Sequence, residues 1–146
     1  MPARQFAVLI GSVFVIFGVL GFIPGFVVHP VPYPGAPHTI AANAGYGALF
    51  RFFPVNYVRD IVQLAIGLAG WAAATGSMRR ALVWCRLVFL YCAAMMLLGI
   101  LPWTRTLFGL MPIFGWNVWF HFVFMLVTFY MSFIYPMDRL QPERTR

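Results

Sequence analysis

The chain has 146 residues, of which 62% are hydrophobic and only 9% charged, and its mean hydropathy is +0.85. These values exclude an ordinary soluble core and define a polytopic membrane protein. The net charge of +7 comes from ten arginines, no lysine, and the acids Asp60, Asp138 and Glu143. The arginines flank apolar segments in ones and twos, which is a topology signal rather than a nucleic-acid-binding patch, so no nucleic-acid partner is expected.

The first apolar run, after MPARQ, predicts a membrane helix over about 6–24. It is too long for a signal peptide and lacks a small-x-small cleavage site. Gly11, Gly18 and Gly25 recur every seven residues with Gly21 near the same face, and small residues at that spacing let helix backbones approach closely in lipid.

A long proline-rich connection, 25–54, follows. Four prolines between Pro30 and Pro37 forbid a regular helix there, and ALFRFF (48–53) is expected to lie along the interface as a short helix. His29 and His38 have no carboxylate or cysteine nearby and read as loop histidines, so no metal site is expected.

The second helix is expected over about 55–74, with Asn56 as N-cap and Asp60 in a first turn where the helix dipole favours a carboxylate. At about 100° per residue, Asn56, Arg59, Asp60, Gln63 and Gly67 share an arc of about 100°, so one face of the first three turns is polar. Polar groups are costly in hydrocarbon, and this stripe must turn toward other helices or stay at headgroup level.

After the GSMRR turn, a third helix is expected over about 81–101, with Arg86 near enough to its start to snorkel back. Cys85 and Cys92 lie seven apart on it, about 10 Å of helix rise, too far to bridge each other. The loop WTRTLFGLMPIFGW leads to a fourth helix over about 117–135, which ends at Pro136 before a basic tail, 136–146. On that helix Asn117, His121, Thr128 and Ser132 lie within about 60° of one another.

The expected architecture is therefore all-α, a single domain of four transmembrane helices. Both termini fall on the cytoplasmic side of a cytoplasmic (bacterial inner) membrane. Arg4, Arg79, Arg80, Arg86, Arg139, Arg144 and Arg146 then lie inside and Arg51, Arg59 and Arg105 outside, as the positive-inside rule favours. GFIP (21–24) and GILP (99–102) each end a helix and precede a loop closing on proline then asparagine, which suggests two duplicated helical hairpins. That relation pairs the polar helix starts and predicts one structural cluster of Asn56, Arg59, Asp60, Gln63, Asn117 and His121.

No Ser/His/Asp order or HExxH motif is present, and one carboxylate lies in the membrane region, so no enzyme is expected. His121 is the sole histidine inside an apolar segment and the candidate ligand for a haem iron or a (bacterio)chlorophyll magnesium, weighed against an ordinary interhelical hydrogen bond. A small transporter is a further alternative, opposed by the absence of charges beyond Gln63 on the second helix. With sixteen Phe and five Trp to face lipid or protein, the leading expectation is a non-catalytic accessory or scaffolding subunit held by other transmembrane subunits and bound lipids. A respiratory or photosynthetic complex is the kind of assembly that accumulates such subunits.

RQFAVLIGSVFVIFGVLGFIPG, FFPVNYVRDIVQLAIGLAGWAAA and GWNVWFHFVF together resemble the bacterial four-helix membrane family catalogued as domain of unknown function forty-three eighty-three. The FPVN start followed by an LxIGLAG-type run is the most specific part of the likeness. In that family the second helix tends to carry histidines at the positions of Arg59 and Gln63, and the fourth tends to read Asp-x-x-x-His at Asn117 and His121. Only His121 is kept. The resemblance implies a four-helix membrane fold and carries no established activity.

Overall fold

A computed structural model describes residues 3–29 and 44–135. It contains α1 (Ala3–Gly21), β1 (Val27–Val28), β2 (Gly47–Leu49), β3 (Phe53–Val55), α2 (Tyr57–Thr75), α3 (Met78–Ile100) and α4 (Trp116–Phe129), the last winding on through a π-helical turn over Tyr130–Ile134. Four helices pack as two antiparallel hairpins, α1 mainly with α2 and α3 mainly with α4. Residues 30–43, with His38 and the four prolines, and the basic tail 136–146 lie outside the described residues.

The helix ends follow local chemistry. α1 stops at Gly21, earlier than expected, because Pro24 has no N–H and disfavours helical geometry in the residue before it. Two turns close there instead, with Phe22 and Ile23 N–H donating to the Val19 and Leu20 carbonyls at 3.0 and 3.2 Å. α2 starts where its cap dictates, the Asn56 side-chain oxygen accepting from Arg59 N–H at 2.9 Å. Ser77 caps α3 through the Arg80 N–H, so that helix begins three residues before the expected position.

α1, α3 and α4 with its π turn are long and apolar enough to cross a membrane. α2 falls outside that group by composition, since Arg59, Asp60 and Gln63 lie within it. It nonetheless lies along the whole of α1. At one end Gly21 sits over Asp60, and at the other Arg4 Nε donates to the Ala74 carbonyl at 2.7 Å. Between them glycines bring the backbones together: a Cβ on Gly11 would lie 2.8 Å from the Gly67 carbonyl oxygen, and one on Gly18 would lie 2.8 Å from that of Asp60. Close approach of this kind replaces the missing hydrophobic drive in lipid. Gly25 does not belong to this stripe. It lies exposed beyond the end of α1 with open space around it, which corrects its expected packing role.

Against that pair packs the aromatic and small-residue core. Phe14 meets Phe120 and Phe124 edge-on at 5.6 and 5.3 Å, and Ala3, Phe6, Ala7, Ile10, Ala81, Cys85, Val88 and Cys92 fill the space toward α3. Both cysteines are free and buried.

One expectation fails at 48–53. These residues form a β-hairpin rather than an interfacial helix, with β2 pairing antiparallel to both β1 and β3 (Val27↔Leu49 and Leu49↔Phe53 in register). Pro54 cannot continue a helix, whereas the extended arrangement buries Val27, Leu49 and Val55 as a small second core over Phe17, Leu20 and Phe53. The hairpin turns through Phe50 and Arg51, both with positive φ (52° and 68°). The α3–α4 loop turns through Leu107, Phe108 and Gly109 in the same left-handed region (45°, 56° and 86°). In each loop a left-handed Phe stands four residues before a proline, Phe50 before Pro54 and Phe108 before Pro112.

Candidate functional site: a buried polar cluster between the helix starts

Asn56, Arg59, Asp60, Gln63, Asn117 and His121 are all buried, and they gather at the end of the bundle that carries the sheet. Asn56 and Asn117 tie the two hairpins together. The Asn56 amide donates to the Leu110 carbonyl in the α3–α4 loop at 2.8 Å, and the Asn117 amide donates to the Pro54 carbonyl in the α1–α2 loop at 2.7 Å. Asn117 also donates to the Pro112 carbonyl of its own loop at 3.0 Å. Each helix start thus satisfies a backbone acceptor of the opposite connection, where a buried carbonyl would otherwise lack a partner.

Arg59 crosses between the pairs. Its Nη2 donates to Asn117 Oδ1 at 2.9 Å, and its Nη1 lies 3.6 Å from Asp60 Oδ1. At 2% exposure the guanidinium is enclosed by the protein, and the adjacent carboxylate offsets its charge. Gly21 makes this possible, because any Cβ there would overlap the Asp60 carboxylate.

α2 and α4 both start at this end, so four residues further along each helix leads to a common depth about 6 Å below the Arg59–Asn117 bond. Gln63 and His121 occupy that level. The ring of His121 meets Tyr91 and Phe120 edge-on, both at 5.7 Å, and its polar neighbours are the Asn117 backbone and the Arg59 guanidinium. Neither His121 nitrogen, neither Gln63 amide atom, neither Asp60 oxygen, and neither Nε nor Nη1 of Arg59 makes a hydrogen bond within the protein. Further along α4, Thr128 and Ser132 are also buried, Thr128 donating to the Phe124 carbonyl at 2.5 Å.

His121, the candidate ligand for a haem or chlorophyll, is closely packed. Its ring is enclosed by Phe120, Tyr91 and a cation, and a macrocycle would have to displace those side chains to approach either nitrogen. Among the described residues no group of three His, Cys, Asp or Glu could hold a metal ion. His29 Nδ1 donates to the Tyr46 carbonyl oxygen at 2.5 Å, so its proton sits on Nδ1.

Sequence patterning did not single out Tyr91. It sits in a continuous apolar run where an aromatic carries no periodic signal, and only the fold sets it beside His121. The carbonyls of Pro54 and Leu110 were equally invisible, being backbone groups.

Four helices, glycine-zipped on one side and locked by a buried Asn–Arg–Asp cluster at one end, define a small polytopic membrane protein with an internal polar core. The chain belongs to the family described as Domain of unknown function (DUF4383), whose model matches residues 4–134. No curated protein and no solved structure matches it.

Proposed function

We propose that this chain is a non-catalytic accessory or scaffolding transmembrane subunit of a larger complex in the cytoplasmic membrane, with both termini on the cytoplasmic side. The observation that carries the reading is the display of aromatic side chains on loops that spend conformational energy to hold them out. Phe108 is 78% exposed and Trp103 75% exposed, and Phe52, Trp116 and Trp119 stand out around them. Phe108 is set there by two successive non-glycine residues in the left-handed region, each costing roughly 1–2 kcal/mol. Exposed aromatics on a strained loop are the chemistry of contact anchors.

The polar groups support the same reading from the other side. Those of α2 and α4 are turned inward, so the faces left for partners and lipids are apolar, with Ile61, Leu68, Leu87, Leu90 and Leu97 more than half exposed. The arginine distribution supports the orientation under the positive-inside rule, with Arg4, Arg79, Arg80 and Arg86 toward one end of the bundle and Arg51 and Arg105 on the loops at the other.

The test is purification from native membranes in mild detergent with Phe108→Ser and Trp103→Ser in parallel. A defined protein recovered in fixed ratio with the wild-type chain and lost with these variants supports the reading. A fixed partner unaffected by both substitutions, or none, counts against the proposed surface.

A further inference from the structure

At the end of the bundle opposite the polar cluster, a recess of about 380 Å³ lies between the start of α1 and the end of α2, lined by Arg4, Gln5, Val8 and Ala74. Its polar wall comes from Arg4 and Gln5, both exposed. Arg4 is held by one bond, Nε donating to the Ala74 carbonyl at 2.7 Å, one of the carbonyls that a helix end leaves without an internal partner. A guanidinium has five N–H donors, so that bond fixes the group and leaves those on Nη1 and Nη2 for another acceptor. One turn further into the bundle, Val8 is 45% exposed and Trp71 41% exposed, the indole N–H donating to Ser12 Oγ at 3.0 Å across the same pair of helices.

The charge around this recess is one-sided. Two residues beyond Ala74, the missing side chain of Gly76 makes room for Arg80, whose Cδ and Nη1 would lie 2.6 and 3.2 Å from a Cβ there. Arg79 and Arg86 are exposed near the start of α3. Asp60, the sole acid among the described residues, is buried at the other end. The tail after Tyr135 brings three arginines against Asp138 and Glu143, so it adds no net negative charge. The level is also defined. α1 has 19 residues, about 28 Å, close to the hydrocarbon thickness of a bilayer, so its first turn stands where hydrocarbon meets headgroups.

We propose that this recess binds the phosphate of an anionic phospholipid, held by the Nη groups of Arg4, with an acyl chain running inward over Val8 and Trp71. The phosphate follows from the donors. A guanidinium anchored at Nε presents its remaining N–H groups as a fork that matches two phosphate oxygens, and the Gln5 amide adds a donor on the same rim. The net charge of the head follows from the surroundings. A zwitterionic head would bring an ammonium group toward Arg79 and Arg80, with no carboxylate among the described residues at this end to receive it, whereas an anionic head meets only cations. A lipid, rather than a dissolved phosphate, follows from Val8 and Trp71, whose exposed apolar surface adjoins the recess on its inward side. The site needs no protein partner, so it stands apart from the accessory-subunit reading.

The test is photolabelling of the full chain in phosphatidylcholine nanodiscs with tracer phosphatidylglycerol or tracer phosphatidylcholine of identical acyl chains, each bearing a diazirine in one chain. Labelling is read by mass spectrometry of the peptides that contain Val8 and Trp71. The expected result is about fivefold more labelling there by phosphatidylglycerol, the factor that one arginine near a membrane surface supplies. Arg4→Gln should remove the excess. Arg86→Gln should leave it, because Arg86 lies over the Phe133 ring at 5.6 Å, away from the recess. Competition on the wild-type protein keeps the test independent of how well Arg4→Gln folds: unlabelled phosphatidylglycerol should displace the probe and the same amount of phosphatidylcholine should not. Equal labelling by the two probes overturns the proposal. So does an excess that survives Arg4→Gln in a folded variant, or one that Arg86→Gln removes equally, since the preference then belongs to the basic face as a whole. Displacement of the probe by millimolar inorganic phosphate overturns the lipid assignment and gives the recess to a dissolved anion.

Discussion

Replacing Asn117 with alanine removes the residue on which the two hairpins converge. The side chain makes three hydrogen bonds, to Arg59 Nη2 at 2.9 Å and to the Pro54 and Pro112 carbonyls at 2.7 and 3.0 Å. Two neutral bonds contribute about 1 kcal/mol each and the charged one about 1.5–3 kcal/mol. Bonds between membrane helices average lower, about 0.6 kcal/mol each, because the unfolded chain in lipid also finds partners. The expected loss is about 2–4 kcal/mol, measured by reversible unfolding in mixed micelles of mild detergent and dodecyl sulfate. Val123→Ala, at an exposed position on the same helix, serves as control and should cost far less. A double-mutant cycle with Arg59→Met isolates the Arg59–Asn117 term, expected at about 1.5–3 kcal/mol. A loss below about 1 kcal/mol with no coupling would refute the role of this cluster as the lock between hairpins.

Gly21→Ala should destabilise by about 1–3 kcal/mol, because the methyl group meets the Asp60 carboxylate, and the loss should shrink in an Asp60→Ala background. Gly25→Ala, in open space, should change the same unfolding midpoint by less than about 0.5 kcal/mol. Arg51→Gly relieves a left-handed arginine at φ 68° and should raise stability by about 1 kcal/mol. In a Cys85→Ala/Cys92→Ala background, a membrane-impermeant maleimide should modify Gly25→Cys in intact cells and Ser77→Cys only after permeabilisation. The reverse pattern would invert the proposed orientation.

The polar cluster was legible because helical periodicity is a property of the sequence itself. Asn56, Arg59, Asp60 and Gln63 on one helix and Asn117 and His121 on another each share a face, and in an apolar chain such a face has few places to go. What joins the faces was not legible, since Asn56 and Asn117 bond to the backbone carbonyls of Leu110 and Pro54, which carry no residue-type signal. The hairpin at 47–55 was missed for a different reason. Its turn uses Phe50 and Arg51 in a conformation that usually announces itself with glycine or asparagine. Gly25 shared the seven-residue spacing of Gly11 and Gly18, but Pro24 ends the helix before the spacing can act. The recess beside Arg4 depends on which helix faces which, a tertiary fact that pattern alone does not contain.

The functional reading stands most directly on whether the chain is part of an assembly. Native mass spectrometry of protein ejected from its own membrane vesicles decides this without purification in detergent. The account predicts that the 16.5 kDa chain appears in a complex of fixed stoichiometry with at least one different transmembrane protein. A chain appearing alone, with lipid as its sole companion, would contradict it.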